Sequence, residues 1–360
     1  MHWSFSIGRF LGSDLRVHVT FFLLLVWIGA QGFMTGGVMA ALESVLFILV
    51  LFSCVIAHEY GHALRARTYG INTPDITLLP IGGMARMEKM PQKPQREIAV
   101  ALAGPAVNIV IFAVLYLLLG GRIDPNALAE IDGSFSAFWS RVAILNLYLA
   151  LFNLIPAFPM DGGRVLRAVL AFWHDRPRAT HMAAVVGQIL AFGFGLLGLS
   201  AGNPFMVLIA FFIFFAANAE DSDIAIRALA RRLRARDALI TNFESLYQTD
   251  TIEDAGAALI RSTQHEFPVF DPDFNLMGFL TRKALYSAVQ QNKQAHPVSE
   301  FMDPSFPSVR LDTRLDRVLD AMANTTSPVQ VTNEGGQFIG YINRENIGEL
   351  MMLQSHRSDR

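Results

Sequence analysis

Six apolar runs, each long enough to cross a bilayer, dominate the first 219 residues: 17–34, 39–63, 98–119, 139–158, 182–199 and 204–219. A chain in hydrocarbon must satisfy its own backbone hydrogen bonds, so these runs are expected as helices. The fold expected for residues 1–220 is therefore a polytopic α-helical membrane domain with about six transmembrane helices. The fifth and sixth runs, joined by a short turn around 200–203, should form a helical hairpin. Composition agrees, with 52% hydrophobic and only 17% charged residues, too apolar for an ordinary water-soluble protein. The excess lies almost wholly before Asn218, and the remainder reads as a soluble α+β sequence.

Basic residues orient the spans. Arg9 and Arg16 precede the first run, Arg65 to Arg96 fall between the second and third, Arg164 to Arg178 between the fourth and fifth, and Arg227 to Arg236 follow the sixth. The alternate loops hold only Arg122 and Arg141. By the positive-inside rule both termini and the two basic loops are expected in the cytoplasm, a pattern that six spans satisfy and five do not. The segment 1–16 mixes charges with glycines and lacks a small-residue cleavage site, so the first run is expected to stay as a span. A net charge of -2 gives no reason to expect nucleic acid as a partner. Cys54 is the only cysteine, which excludes an internal disulfide.

The second run ends in His58-Glu59-Tyr60-Gly61-His62. Histidines at i and i+4 of a helix project from one face and can share one Zn²⁺, and Glu59 beside the first can take a proton from an attacking water. Ionisable groups in a span cost several kcal/mol and mark function by default. A catalytic zinc needs a third protein ligand. The fourth run ends Asn153-Leu154-Ile155-Pro156-Ala157-Phe158-Pro159-Met160-Asp161-Gly162-Gly163, where prolines and glycines must break the helix. Asp161 is its only carboxylate, read either as that ligand or as the cap of a following helix. The segment 75–83 is rich in β-formers and too short to span, so it is read as a hairpin edge near the site or as a plain loop.

These motifs, with Gly104-Pro105-x-x-Asn108 in the third run, resemble the site-2 protease family of intramembrane metalloproteases over about residues 1–220. The resemblance implies one zinc per chain on His58, His62 and Asp161, with Glu59 as catalytic base. It implies cleavage of transmembrane segments of membrane-protein substrates, such as single-span regulators or pro-proteins, in a prokaryotic cytoplasmic membrane. Asn153 is then a candidate to orient substrate or stabilise an oxyanion, against a role in helix packing. Asn108 carries the same pair of readings. Gly82 and Gly83, at the end of the hairpin segment, are candidate substrate contacts through strand addition. A catalytically silent member that only binds membrane partners is the alternative, disfavoured because all four zinc-site residues are intact. A transporter is disfavoured because the spans show no twofold repeat.

Residues 221–236 read as a basic linker, either a solvated helix or a lipid- or partner-binding segment. Beyond it a repeat of about 60 residues aligns Pro268-Val269-Phe270…Gly278-Phe279-Leu280-Thr281 with Pro328-Val329-Gln330…Gly340-Tyr341-Ile342-Asn343. Each unit reads helix, two strands around a turn, helix. The pair resembles tandem cystathionine-β-synthase (CBS) domains, expected at 237–292 and 298–353. In that family the signature Gly-x-x-Thr-x-x-Asp places its aspartate on the ribose of an adenosine nucleotide. Here Ala284 and Asn346 stand at the aspartate positions, so nucleotide sensing and a homodimerisation or protein-interaction role are both expected readings. Either could modulate the membrane domain.

Overall fold

A straight helix of 49 residues would measure about 74 Å at 1.5 Å per residue, more than twice the hydrocarbon thickness of a bilayer. The helix α1 (Val19–Arg67) has that length but is not straight. Gly36 and Gly37 leave helical geometry, and Gly37 takes φ +72°, a left-handed conformation that favours glycine. The two arms fold back on each other. The Phe21 and Phe52 rings meet edge-on at 4.7 Å, and a Cβ on Gly32 would lie 2.8 Å from the Ala40 carbonyl oxygen. The computed structural model describes residues 3–358 other than 81, 87–90, 92, 124–133, 263 and 324, so Ile81 and Lys89 of the expected hairpin and basic loop lie outside the described residues.

After α1 come α2 (Pro94–Leu118), α3 (Phe135–Asn153), α4 (Asp161–Leu170), α5 (Arg176–Ser200) and α6 (Pro204–Ala230). Among the described residues, all of these except the ten-residue α4 join α1 as helices long and apolar enough to cross a membrane, five in number. With α1 counted as two arms they account for all six apolar runs. Large apolar side chains such as Trp27, Leu117, Phe192 and Phe211 remain exposed on the bundle, a surface suited to lipid rather than water. Two helices differ from expectation. The fourth run was read through 158, but α3 stops at Asn153, because Pro156 and Pro159 have no amide hydrogen to continue it. The sixth run was read to 219, but α6 continues to Ala230, through the first part of the expected linker.

At the end of α1 that carries His58 lies a sheet not expected in full. Strands β1 (Ser4–Phe10), β2 (Ser13–His18), β3 (Asp75–Leu79) and β4 (Gly82–Arg86) pair in that order. The hairpin read over 75–83 is β3 and β4, antiparallel, with β4 at the sheet edge. β2 runs parallel to β3. Leu15, Val17, Ile76 and Leu78 share a buried cluster with Phe21 and Phe52, which anchors the sheet to α1.

The chain divides into two compact units, residues 1–222 and 223–360. In the second, β5 (Leu246–Tyr247), α7 (Ile252–Ser262), β6 (Glu266–Phe270), β7 (Leu276–Thr281) and α8 (Arg282–Gln290) form one repeat. The other comprises β8 (Ser308–Arg310), α9 (Leu315–Met322), β9 (Val329–Thr332), β10 (Phe338–Ile342) and α10 (Arg344–Ser358). Each has the expected helix, hairpin and helix, plus a short parallel strand ahead of them. The repeats meet through Tyr341, whose ring packs on Phe243 and Phe279 and whose hydroxyl donates to the Glu266 carbonyl. Burial, with Glu266 nearby, pushes the Tyr341 hydroxyl well above the usual tyrosine range.

The linker arginines are engaged within this unit. Arg227 meets Asp223 and Asp320, and Arg231 meets Asp316. At the positions where an aspartate would hold ribose, the side chains serve the fold. Ala284 packs against the core of the first repeat, its amide capped by Thr281, and Asn346 donates to the Ala238 carbonyl.

Candidate metal centre

Helical spacing brings His58 and His62 to one face of the second arm of α1, as expected. Their Nε2 atoms lie 3.0 Å apart. Asp161 Oδ2 lies 3.2 Å from the first and 3.1 Å from the second. A tetrahedral zinc about 2.0–2.1 Å from each of three ligands would separate those atoms by about 3.3–3.4 Å. The donor set fits zinc in chemistry, size and number: two imidazoles and one carboxylate. All three residues are buried.

The carboxylate arrives through the broken end of α3. After Asn153 the chain turns back tightly, and Asp161 opens α4. This return is possible only with small residues. A Cβ on Gly162 would lie 2.3 Å from the Ile155 carbonyl oxygen, and one on Gly163 would lie 2.6 Å from the Ala157 carbonyl carbon. Helix α2 supplies the wall behind the histidines. A Cβ at Gly104 would lie 2.3 Å from His62 Nε2 and 2.6 Å from His58 Nε2, so glycine keeps the metal position open. Gly61 packs tightly on α2 as well, with the Ala103 carbonyl oxygen 2.7 Å from a would-be Cβ. The outer ring nitrogens are also held by α2: His62 Nδ1 by the Val100 carbonyl at 2.7 Å, and His58 Nδ1 by Asn108 Oδ1 at 2.5 Å. Ligand histidines in metal sites commonly donate their second nitrogen in this way.

Glu59 is half-buried beneath the sheet. A Cβ on Gly83 would lie 2.6 Å from its Cγ, so β4 passes directly over the glutamate. Of the other candidates, Gly82 and Gly83 pair with Leu79 and Leu78 along that edge strand. Asn108 is on His58. The Asn153 amide donates to the Leu149 carbonyl one turn earlier. The sequence reading missed Asn146, which is fully buried and accepts a hydrogen bond from Asn108. Its signal was an asparagine in an apolar span, two turns before Asn153.

Fold and site together define a multi-pass membrane zinc metalloprotease. The profile of peptidase family M50 matches residues 46–196, and that of the CBS domain matches residues 298–352. The chain is 33% identical over 98% of its length to a zinc metalloprotease of Methanocaldococcus jannaschii, of which it covers 97%. It is 28% identical over 98% of its length to the putative zinc metalloprotease Rip3 of Mycobacterium tuberculosis, covering 93% of it. A solved site-2 protease of Methanocaldococcus jannaschii matches at 36% identity and TM-score 0.46, over 61% of this chain and 95% of that one. The chain belongs to the site-2 protease family, peptidase family M50, with a C-terminal CBS pair.

Proposed function

We propose that this protein cleaves transmembrane segments of other membrane proteins, with His58, His62 and Asp161 holding one zinc and Glu59 as catalytic base. The observation that carries this reading is the ligand triangle of 3.0–3.2 Å on a membrane-spanning arm, with Glu59 adjoining it under an edge strand. When bound, the zinc supplies Lewis acidity, making water nucleophilic at neutral pH and polarising the peptide carbonyl. Glu59 takes the proton of the attacking water and passes it to the departing amine. A substrate helix has its amides paired internally and must unwind first. Strand β4 offers the unwound segment backbone partners, with Gly83 leaving room against Glu59. Asn153, released from the Leu149 carbonyl, would be a neutral donor for the developing oxyanion.

The basic loops and both termini lie in the cytoplasm, so water reaches the zinc from that side. Single-span regulators or pro-proteins are the substrates. The CBS pair modulates cleavage as a partner-binding or dimerising module, since the ribose-binding aspartates are absent. The test compares wild-type protein with Glu59→Gln on single-span substrates, with zinc quantified in both. The reading requires equal zinc and loss of cleavage in the variant. Equal cleavage by both forms would refute Glu59 as the base.

A further inference from the structure

A histidine binds zinc through Nε2 only if its proton sits on Nδ1, and what Nδ1 faces decides that. The two histidines meet this demand differently. His62 faces the Val100 carbonyl, a backbone acceptor that cannot be inverted. His58 faces the side-chain amide of Asn108. An amide can turn over, and the inverted form would present an N–H to Nδ1 and drive the proton onto Nε2.

Two further contacts remove that freedom. Asn146 Nδ2 donates to the Val142 carbonyl of its own helix at 2.9 Å. That leaves Asn146 Oδ1 facing α2, where it accepts from Asn108 Nδ2 at 2.8 Å. Asn108 Oδ1 must then face His58 Nδ1, which donates to it. Inverting Asn146 would set its oxygen against the Val142 oxygen. Inverting Asn108 alone would set oxygen on oxygen across the α2–α3 contact and leave two buried acceptors without donors, which burial penalises. Both asparagines are fully buried, so water cannot repair an inverted arrangement.

We infer that Asn146 is a positioning residue for the metal centre: a backbone carbonyl of α3 fixes its amide, which fixes Asn108, which fixes the tautomer of His58. The inference rests on reading His58 as a zinc ligand. The experiment measures zinc affinity of full-length protein in detergent by competition with a chromophoric chelator. Variants are Asn146→Leu, Asn146→Ala and the double variant Asn146→Leu/Asn108→Asp. Loss of an outer partner of this kind weakens metal binding about 10–100-fold, and each single variant should fall in that range. A carboxylate at 108 has no N–H to present, so the double variant should regain wild-type affinity without Asn146. That recovery also shows that the leucine is tolerated by the fold, and the alanine variant tests the same loss without added bulk. Wild-type affinity in the single variants would overturn the relay, as would a double variant as weak as Asn146→Leu. A wild-type protein that takes up no zinc would overturn the metal reading itself, and the relay with it.

Discussion

Arg167 of α4 and Glu97 of α2 hold each other in nearly complete burial, with 1% and 4% of their side chains exposed. Nη2 and Nε of the arginine both donate to Glu97 Oε1, at 2.5 and 2.8 Å. The same guanidinium lies over the Phe158 ring and meets Glu220 of α6. Glu97 also takes Arg176 of α5 at 3.3 Å. Four helices thus converge on one buried charge pair, six residues after Asp161.

Removing one member of such a pair leaves the other buried and uncompensated, which costs about 3–5 kcal/mol. Glu97→Gln should therefore lower the thermal unfolding temperature of the purified protein sharply. Glu220→Gln should lower it far less, because that side chain is 39% exposed and water can replace it. Equal shifts in the two variants would show that burial is not what gives the Glu97 contact its weight.

Gly104→Ala is the smallest change that reaches the metal position. Its methyl would occupy space 2.3 Å from His62 Nε2, closer than non-bonded atoms approach. Zinc measured by atomic absorption should fall from one per chain to nearly none while the protein stays monodisperse. Proteolysis should be lost with it.

Strand addition is tested on β4 rather than β3. Ile76 and Leu78 of β3 are core residues, and β3 is already paired on both sides, so proline there would break the sheet. Along an edge strand successive N–H groups alternate between the inner partner and the open side. Of Met84→Pro and Ala85→Pro, one removes only an outward donor. One of the two should lower cleavage of a transmembrane substrate with zinc content unchanged, read by gel assay and metal analysis. Wild-type cleavage by both variants would exclude capture along this edge.

At the start of α7, the Asp254 carboxylate accepts from the hydroxyl and the amide of Thr251, and Thr251 Oγ1 accepts in return from the Asp254 amide. The side-chain bond and then the backbone bond hold the carboxyl below its ordinary value of 3.8. A lowered folded-state value contributes stability that is fully present above the unfolded value and lost as pH falls through the folded one. Asp254→Asn should therefore lower the unfolding temperature of the C-terminal unit at pH 7. The difference from wild type should shrink progressively below about pH 4.

The candidate site was legible because residues four apart on a helix share one face. His58 and His62 declare themselves within one helical turn, and Asp161 sits beside prolines that no span carries without cause. The hairpin at 75–83 was legible for similar local reasons. The strands β1 and β2 were not. Their hairpin joins a larger sheet only by pairing with β3, some sixty residues later, and β1 is mostly exposed, with no clean alternation. The Arg167–Glu97 pair and Asn146 were hidden for the same reason: each residue looks ordinary until the helix opposite is known. Apolar residues continue to Phe158 after α3 has stopped at Asn153, and the prolines between were the legible sign of that break.

The break at Gly36 and Gly37 also decides which strands can meet. Because α1 runs out along one arm and back along the other, residues 13–18 ahead of it and 75–79 behind it come to the same end of the helix pair, where they run parallel. A helix that ran straight through Gly37 would be about 74 Å long and would carry β3 away from β2, leaving β2 with β1 alone. The register of residues 14–17 against 75–78 is therefore a long-range reporter of that one local turn.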